Sequence, residues 1–156
     1  MKAIPDSGFY LLLIRNDSEF EIKVGARGAE KFCKGYYVYT GSAKKALKAR
    51  LSRHLRKQKK FHWHIDYLLE KTEVIGVFVR EIKAGFSECD LAERVSGAEG
   101  AMILNRRFGA SDCKCPGHLH YFKKSPVINL ESIAEKLTDQ NIQELHSFIT
   151  SLFPAS

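Results

Sequence analysis

At 156 residues the chain is long enough for one hydrophobic core and short for two, and its four prolines and 11 glycines are scattered. That excludes collagen-like, low-complexity and solenoid architectures. Lys plus Arg number 25 against 18 Asp plus Glu, for a net charge of +7, and nine of the basic residues crowd between Lys44 and Lys60 with no acid among them, so the rest of the chain is slightly acidic and the basic character is one local feature.

The N-terminal apolar run Phe9 to Ile14 is too short to span a bilayer and has no small-residue cleavage site after it, so a cytoplasmic protein without a membrane partner is expected. Four cysteines (Cys33, Cys89, Cys113, Cys115) in such a chain argue against a disulfide framework and for reduced thiols.

In chain order, Gly8 to Ile14 reads as a strand, and Phe20, Ile22 and Val24 alternate with Glu21 and Lys23, which predicts a second strand in a hairpin with the first. A glycine-rich connection leads to a third strand, Tyr36 to Tyr39, whose period of two puts Tyr37 and Tyr39 on one face and Tyr36 and Val38 on the other. Ser42 is placed to cap a helix in which Leu47, Leu51 and Leu55 form the apolar stripe. Arg50 and His54 fall along one border of that stripe, and Arg56 lies on the solvent side.

His62 to Lys71 reads as a second helix with Ile65, Leu68 and Leu69 inward, followed by a strand Val74 to Ile82 and a helix Ser87 to Val95. Ala110 to His120 is loop-like and ends in a strand around Leu119 to Phe122. Asn129 to Phe153 is amphipathic and reads as two helices split near Thr138-Asp139, the first carrying Ile133 and Leu137, the second Ile142, Leu145 and Phe148. The expected architecture is an α+β domain, a small mainly antiparallel sheet flanked by helices over residues 1–128, with a C-terminal helical extension, 129–156, packed on the same domain.

The order Gly8-Phe9-Tyr10, then Tyr39-Thr40-Gly41, then a helix bearing Arg50 and His54 resembles the GIY-YIG nuclease superfamily, with Phe9 and Thr40 in place of the isoleucines. The segments YYVYTGSA, RHLR, HWHIDYLL, ECDLAE and FGASDCKCPGHL are similar to a branch of that superfamily found alone or fused to endonuclease III-like DNA glycosylases. The resemblance implies an endonuclease that hydrolyses phosphodiester bonds in DNA with one Mg²⁺ or Mn²⁺ per site, in a DNA-repair setting among repair proteins. It also implies catalytic roles for Tyr10, Tyr39, Arg50 and His54. A phosphoryl-transfer transition state gathers negative charge, which a planar guanidinium and a cation stabilise. From the residues alone, Tyr10 and Tyr39 read equally as strand aromatics, Arg50 as a surface charge and His54 as a core histidine.

The metal-holding glutamate that the resemblance implies falls on the helix with Glu88, Asp90 and Glu93. Glu93 best fits the family's helix pattern, and Glu88 and Asp90 remain alternatives. A late asparagine of the family corresponds to Asn105. Lys44, Lys45, Arg53, Lys57, Lys59 and Lys60 are the expected phosphate-backbone contacts, the plainer account being a solvated basic face. Trp63 reads as a helix anchor or a base-stacking group, and His62 with Asp66 as an ion pair or as orienting the neighbouring loop. The run Cys113-Lys114-Cys115-Pro116-Gly117-His118 offers Cys113, Cys115 and His118 as zinc ligands, with Cys89, His62 or His64 as a fourth. It lacks paired C-x-x-C knuckles, so a loop of reduced thiols is the first reading and zinc the alternative. The rival to a nuclease is a catalytically inactive nucleic-acid-binding module of the same fold.

Overall fold

The first strand, β1 (Gly8–Asn16, GFYLLLIRN), is apolar almost throughout, and in a computed structural model of the protein it forms the centre of the fold. The structure describes residues 3–110 and 114–152; Cys113, with Ser111 and Asp112, and Phe153 lie outside them. The other strands in chain order are β2 (Phe20–Lys23), β3 (Ala29–Phe32), β4 (Gly35–Ala43), β5 (Glu73–Arg80), β6 (Leu119–Phe122) and β7 (Glu135–Lys136). Among the described residues they form a five-stranded sheet in the order β6-β4-β1-β5-β7 and a separate two-stranded ribbon, β2-β3, with every pair antiparallel.

A central strand buried on both faces needs apolar residues at consecutive positions. Tyr10, Leu12 and Ile14 face one core with Tyr37, Leu47, Leu51, Ile65 and Leu68. Phe9, Leu11 and Leu13 face the other with Val38, Phe78, Leu91 and Val95. The helices α1 (Leu47–Leu55), α2 (His64–Lys71) and α5 (Asp139–Leu152) cover the first face; α3 (Glu88–Ser96) and the short α4 (Val127–Glu131) cover the second.

The architecture is the expected mixed α+β one, with four local corrections. The second strand does not pair with the first: both edges of β1 are taken by β4 and β5, so β2 turns to β3 instead. Buried Asn16 ends β1, donating from Nδ2 to the Cys33 carbonyl at 2.8 Å. The strand that starts near Tyr36 runs on to Ala43, so Ser42 pairs with Phe9 inside the sheet and caps nothing. Instead α1 starts after Ala46, whose φ of 54° is left-handed, and the Leu47 N–H donates to the Asp6 carbonyl at 2.9 Å.

The C-terminal segment holds a strand as well as helices. α4 stops at Glu131, and Glu135–Lys136 adds a fifth strand beside β5, where the Leu137 N–H donates to the Val77 carbonyl at 2.8 Å. Ile133 and Leu137 are therefore not two turns of one helix. α5 then packs on α1, with Ser52 Oγ donating to the Leu145 carbonyl at 3.1 Å and Lys48 paired with Glu144. Among the described residues no helix is long and apolar enough to cross a membrane.

Candidate active site

Where β4 passes the start of β1, Tyr10 stands opposite Gly41 and Leu12 opposite Tyr39, so the two tyrosines are diagonal neighbours on the face that α1 covers. A Cβ at Gly41 would lie 2.4 Å from the Tyr10 ring and hydroxyl. Gly41 is thus needed for close approach: the Tyr10 ring occupies the space a side chain would fill. Gly109 (φ 73°) does the same for Tyr39, since a Cβ there would meet the Tyr39 ring at 2.9 Å. The result is a cleft of about 370 Å³ lined by Tyr10, Tyr39, Ser42, Arg50, Trp63 and Glu88 among others.

Arg50 reaches the cleft from the first turns of α1. Its Nη1 donates to the Ser42 carbonyl at 3.0 Å, and its guanidinium lies 4.6 Å from the centre of the Trp63 ring. A strand carbonyl and an indole thus fix the plane of the fork at the edge of the cleft, a placement that suits an anion. His54, one turn further along α1, is 3% exposed and sits 2.7 Å from the Tyr10 hydroxyl through Nε2. Its Nδ1 has no hydrogen-bond partner among the described residues.

Burial pushes the Tyr10 phenol above its ordinary value, and the Arg50 guanidinium pulls it part of the way back. Tyr39 moves the same way, through burial and then the neighbouring Tyr10 and Glu88. His54 is pushed down to about 3, first by burial and then by the charge of Lys59. The imidazole is therefore neutral at ordinary pH and its Nε2 is able to accept the phenolic proton in a hydrogen bond.

Of the three candidate acids on α3, the structure brings Glu88 to the cleft and neither of the others. Ser42 Oγ donates to Glu88 Oε1 at 2.6 Å, and Glu88 Oε2 lies 2.8 Å from His118 Nδ1. Asp90 is the third residue of a capping box, taking the Ser87 N–H at 2.7 Å while Ser87 Oγ accepts the Asp90 N–H at 3.1 Å. Glu93 lies with Asp90, Phe86 and Arg94 around a separate surface hollow. Asn105 is also elsewhere: its Nδ2 donates to the Lys31 carbonyl at 3.2 Å, tying the ribbon to the loop before β6.

Half of the basic cluster expected to meet phosphate is committed inside the protein. Arg53 forms a two-pronged pair with fully buried Asp66, both N···O distances 2.9 Å, and lies 4.4 Å from the Trp63 ring centre. Lys59 Nζ donates to the carbonyls of Arg53 and His54, both at 3.0 Å, and Lys57 Nζ to those of Leu69 and Thr72. These lysines add donors to the carbonyls at the ends of α1 and α2, where acceptors outnumber backbone N–H groups; the Arg53 carbonyl also accepts the Arg56 N–H at 3.2 Å. Lys44, Lys45 and Lys60 are exposed. Asp66 accepts the N–H groups of His62 and Trp63 at 2.8 and 2.9 Å, so it orients the entry to α2 and makes no ion pair with the His62 ring. His62, Trp63 and His64 line the cleft, a placement the sequence pattern did not show; their position just after the basic run was the available signal.

Cys89, on the first turn of α3, meets Cys115 and His118; the two cysteines are paired as a disulfide, Cα atoms 6.2 Å apart. This departs from the expected reduced thiols, because the loop before β6 folds back over the start of α3. Neither His62 nor His64 joins the group.

A family model described as Domain of unknown function DUF123 matches residues 9–140 of the chain. No curated protein and no solved structure matches it.

Proposed function

The chain belongs to the DUF123 domain family, and we propose that it is a metal-dependent nuclease that hydrolyses phosphodiester bonds in DNA. The observation that supports this most is that Tyr10, Tyr39, Arg50 and Glu88, from two strands and two helices, line one cleft. Their order along the chain is that of the GIY-YIG nucleases, and the repair setting rests on that resemblance alone.

The residues fit a divalent cation of the Mg²⁺ or Mn²⁺ kind. Among the described residues Glu88 is the carboxylate lining the cleft, and such ions are commonly held by one or two carboxylates, substrate phosphate and water. Each Glu88 oxygen has a lone pair to spare beyond its contact with Ser42 or His118. Bound there, the ion would neutralise charge on the phosphate being attacked.

The chain's own groups do the rest. Arg50, fixed by Ser42 and Trp63, meets non-bridging phosphate oxygens and stabilises them more as negative charge accumulates. Tyr10 donates its proton towards His54 Nε2, which turns the phenol's lone pairs to the cleft; an attacking water hydrogen-bonds there and is aligned with the phosphorus. With burial holding the phenol proton on and His54 held neutral, Tyr10 acts by orienting the water through its hydroxyl and not as a free phenolate. Tyr39, the diagonal neighbour of Tyr10 on the same face, contributes a second hydroxyl.

The test is cleavage. Purified protein with Mg²⁺ or Mn²⁺ and nicked, branched and single-stranded DNA should cut at least one of these, and Arg50→Ala should cut about 10²–10³-fold more slowly. Salt-sensitive binding without any cleavage would leave the non-catalytic binding module. Equal cleavage by Arg50→Ala would locate the activity elsewhere.

A further inference from the structure

Three side chains that this hydrolysis does not use meet behind the cleft. The sulfurs of Cys89 and Cys115 and a ring nitrogen of His118 all lie within 4.8 Å of one another. We propose that the reduced cysteine pair and His118 Nε2 form a zinc site that joins the loop before β6 to the first turn of α3.

The geometry suits the metal. With Zn–S near 2.3 Å and Zn–N near 2.0 Å, a tetrahedral site sets nitrogen and sulfur roughly 3.6 Å apart, and His118 Nε2 is 3.7 Å from Cys89 Sγ. A disulfide has no use for an imidazole at that place; a zinc ion takes it as third ligand, with the fourth position left to a further ligand or to water. The other ring nitrogen, Nδ1, is 2.8 Å from Glu88 Oε2. A carboxylate behind a ligating histidine is the usual outer support of a zinc centre. Two thiolates and an imidazole also select zinc over Mg²⁺ or Ca²⁺, which prefer oxygen.

The frame that holds the three groups does not depend on the ion. Cys89 sits on a helix. The His118 N–H donates to the Phe108 carbonyl at 2.8 Å, and the His118 carbonyl accepts the Thr40 N–H at 2.9 Å. His118 is 2% exposed, so the site is walled in on the imidazole side. The disulfide form reaches the zinc form by taking two electrons and two protons from a dithiol, which leaves as its own disulfide; zinc then displaces the two thiol protons. Glu88 stands between the sites, one oxygen on Ser42 and the other on His118, so zinc would also fix the carboxylate that faces the cleft. Only that last consequence rests on the proposed nuclease reading.

The full chain, reduced with a phosphine that does not compete for metal, is titrated with zinc and with cobalt in the absence of DNA. A single zinc retained per chain, and a cobalt form with thiolate charge-transfer and tetrahedral visible bands, are expected. Cys89→Ser and His118→Ala should each weaken retention more than about tenfold, Glu88→Gln about tenfold, and Cys33→Ser not at all. A folded, reduced wild-type chain that holds no zinc and gives no tetrahedral cobalt spectrum overturns the site, as does unchanged affinity in folded Cys89→Ser. The readout needs no cleavage, so the zinc site and the nuclease reading fail separately.

Discussion

The Tyr10 hydroxyl and His54 Nε2 lie 2.7 Å apart, joining residues 44 positions distant in the chain. Removing the hydroxyl alone keeps the ring that fills the space over Gly41 but leaves the imidazole without its partner. Tyr10→Phe should therefore lower cleavage by about 10²–10⁴-fold and stability by about 1–3 kcal/mol. Single-turnover rates measured beside denaturant unfolding separate the two effects. A variant that cuts at the wild-type rate would remove Tyr10 from the chemistry.

Glu88 and Glu93 give a paired test of which acid serves the cleft. Glu88→Gln keeps an acceptor for Ser42 but loses the charge, so the Mg²⁺ or Mn²⁺ concentration needed for half-maximal cleavage should rise by more than about tenfold. Glu93, around another hollow, should tolerate Gln with a change under about twofold, a surface substitution. Metal titrations of the two variants decide between them, and the reverse order would return Glu93 to the site.

Much of this cleft was legible in the sequence. Strand alternation and helix phase, which are local properties, gave only the faces of Tyr39 and Arg50; that both tyrosines and the guanidinium share a site came from the resemblance carried by GFY, YTG and Arg50. The choice of Glu88 over Glu93, where Glu88 stood as an alternative, was not legible, because Glu88 acts from the first residue of α3 and not along its buried face: Leu91 and Val95 mark the buried stripe, while Glu88 is held by Ser42 across the sheet end. The ribbon partner of β2 was hidden for a related reason, since alternation says which face is buried and not which strand lies beside it. The basic run misled by counting charges without the helix-end carbonyls, whose need for donors takes up Lys57 and Lys59.

Gly41 should resist substitution more than its position at a strand end suggests. Any Cβ must displace the Tyr10 ring, and with it the hydrogen bond to His54. Gly41→Ala should cost about 1–3 kcal/mol as overpacking, together with most of the cleavage activity. Tyr10→Ala costs stability by itself, but it vacates the space, so the double variant should lose less than the sum of the two single losses; a double-mutant cycle measures this coupling, and simple additivity would contradict the packing account.

The basic residues divide into two classes that a salt series can tell apart. Replacing exposed Lys44, Lys45 and Lys60 together by Ala should weaken DNA binding and reduce the slope of log K against log salt by up to about 3, with the melting temperature unchanged. Lys57→Ala and Lys59→Ala should instead lower stability by about 1–2 kcal/mol each by removing charged donors from the carbonyls at the ends of α1 and α2, with little change in slope. A slope change from Lys59→Ala equal to that of an exposed lysine would mean that its ammonium is available to phosphate.

Acid should unfold the protein through His54 before it reaches the carboxylates. In the fold this imidazole is pushed down to about 3 by burial, with Lys59, Arg50 and Arg53 opposing a proton and Asp66 favouring one; unfolded, it returns to about 6.5. Between those values the unfolded chain binds the extra proton, so the stabilisation is fully present above about pH 6.5 and is lost as pH falls towards 3. The contribution is on the order of 5 kcal/mol, and His120, buried beside Ser96 and pushed down to about 4, adds to it with the same sign. Asp66 acts below that window: burial would raise its carboxyl, but the Arg53 guanidinium and the Trp63 and His62 N–H groups outweigh burial and hold it low. Urea unfolding from pH 7 to pH 4 should show stability falling throughout, with a shallower slope in His54→Gln, which keeps a polar group facing Tyr10. An unchanged slope in that variant would mean that His54 carries its proton in the folded state, and the imidazole could then no longer accept from Tyr10.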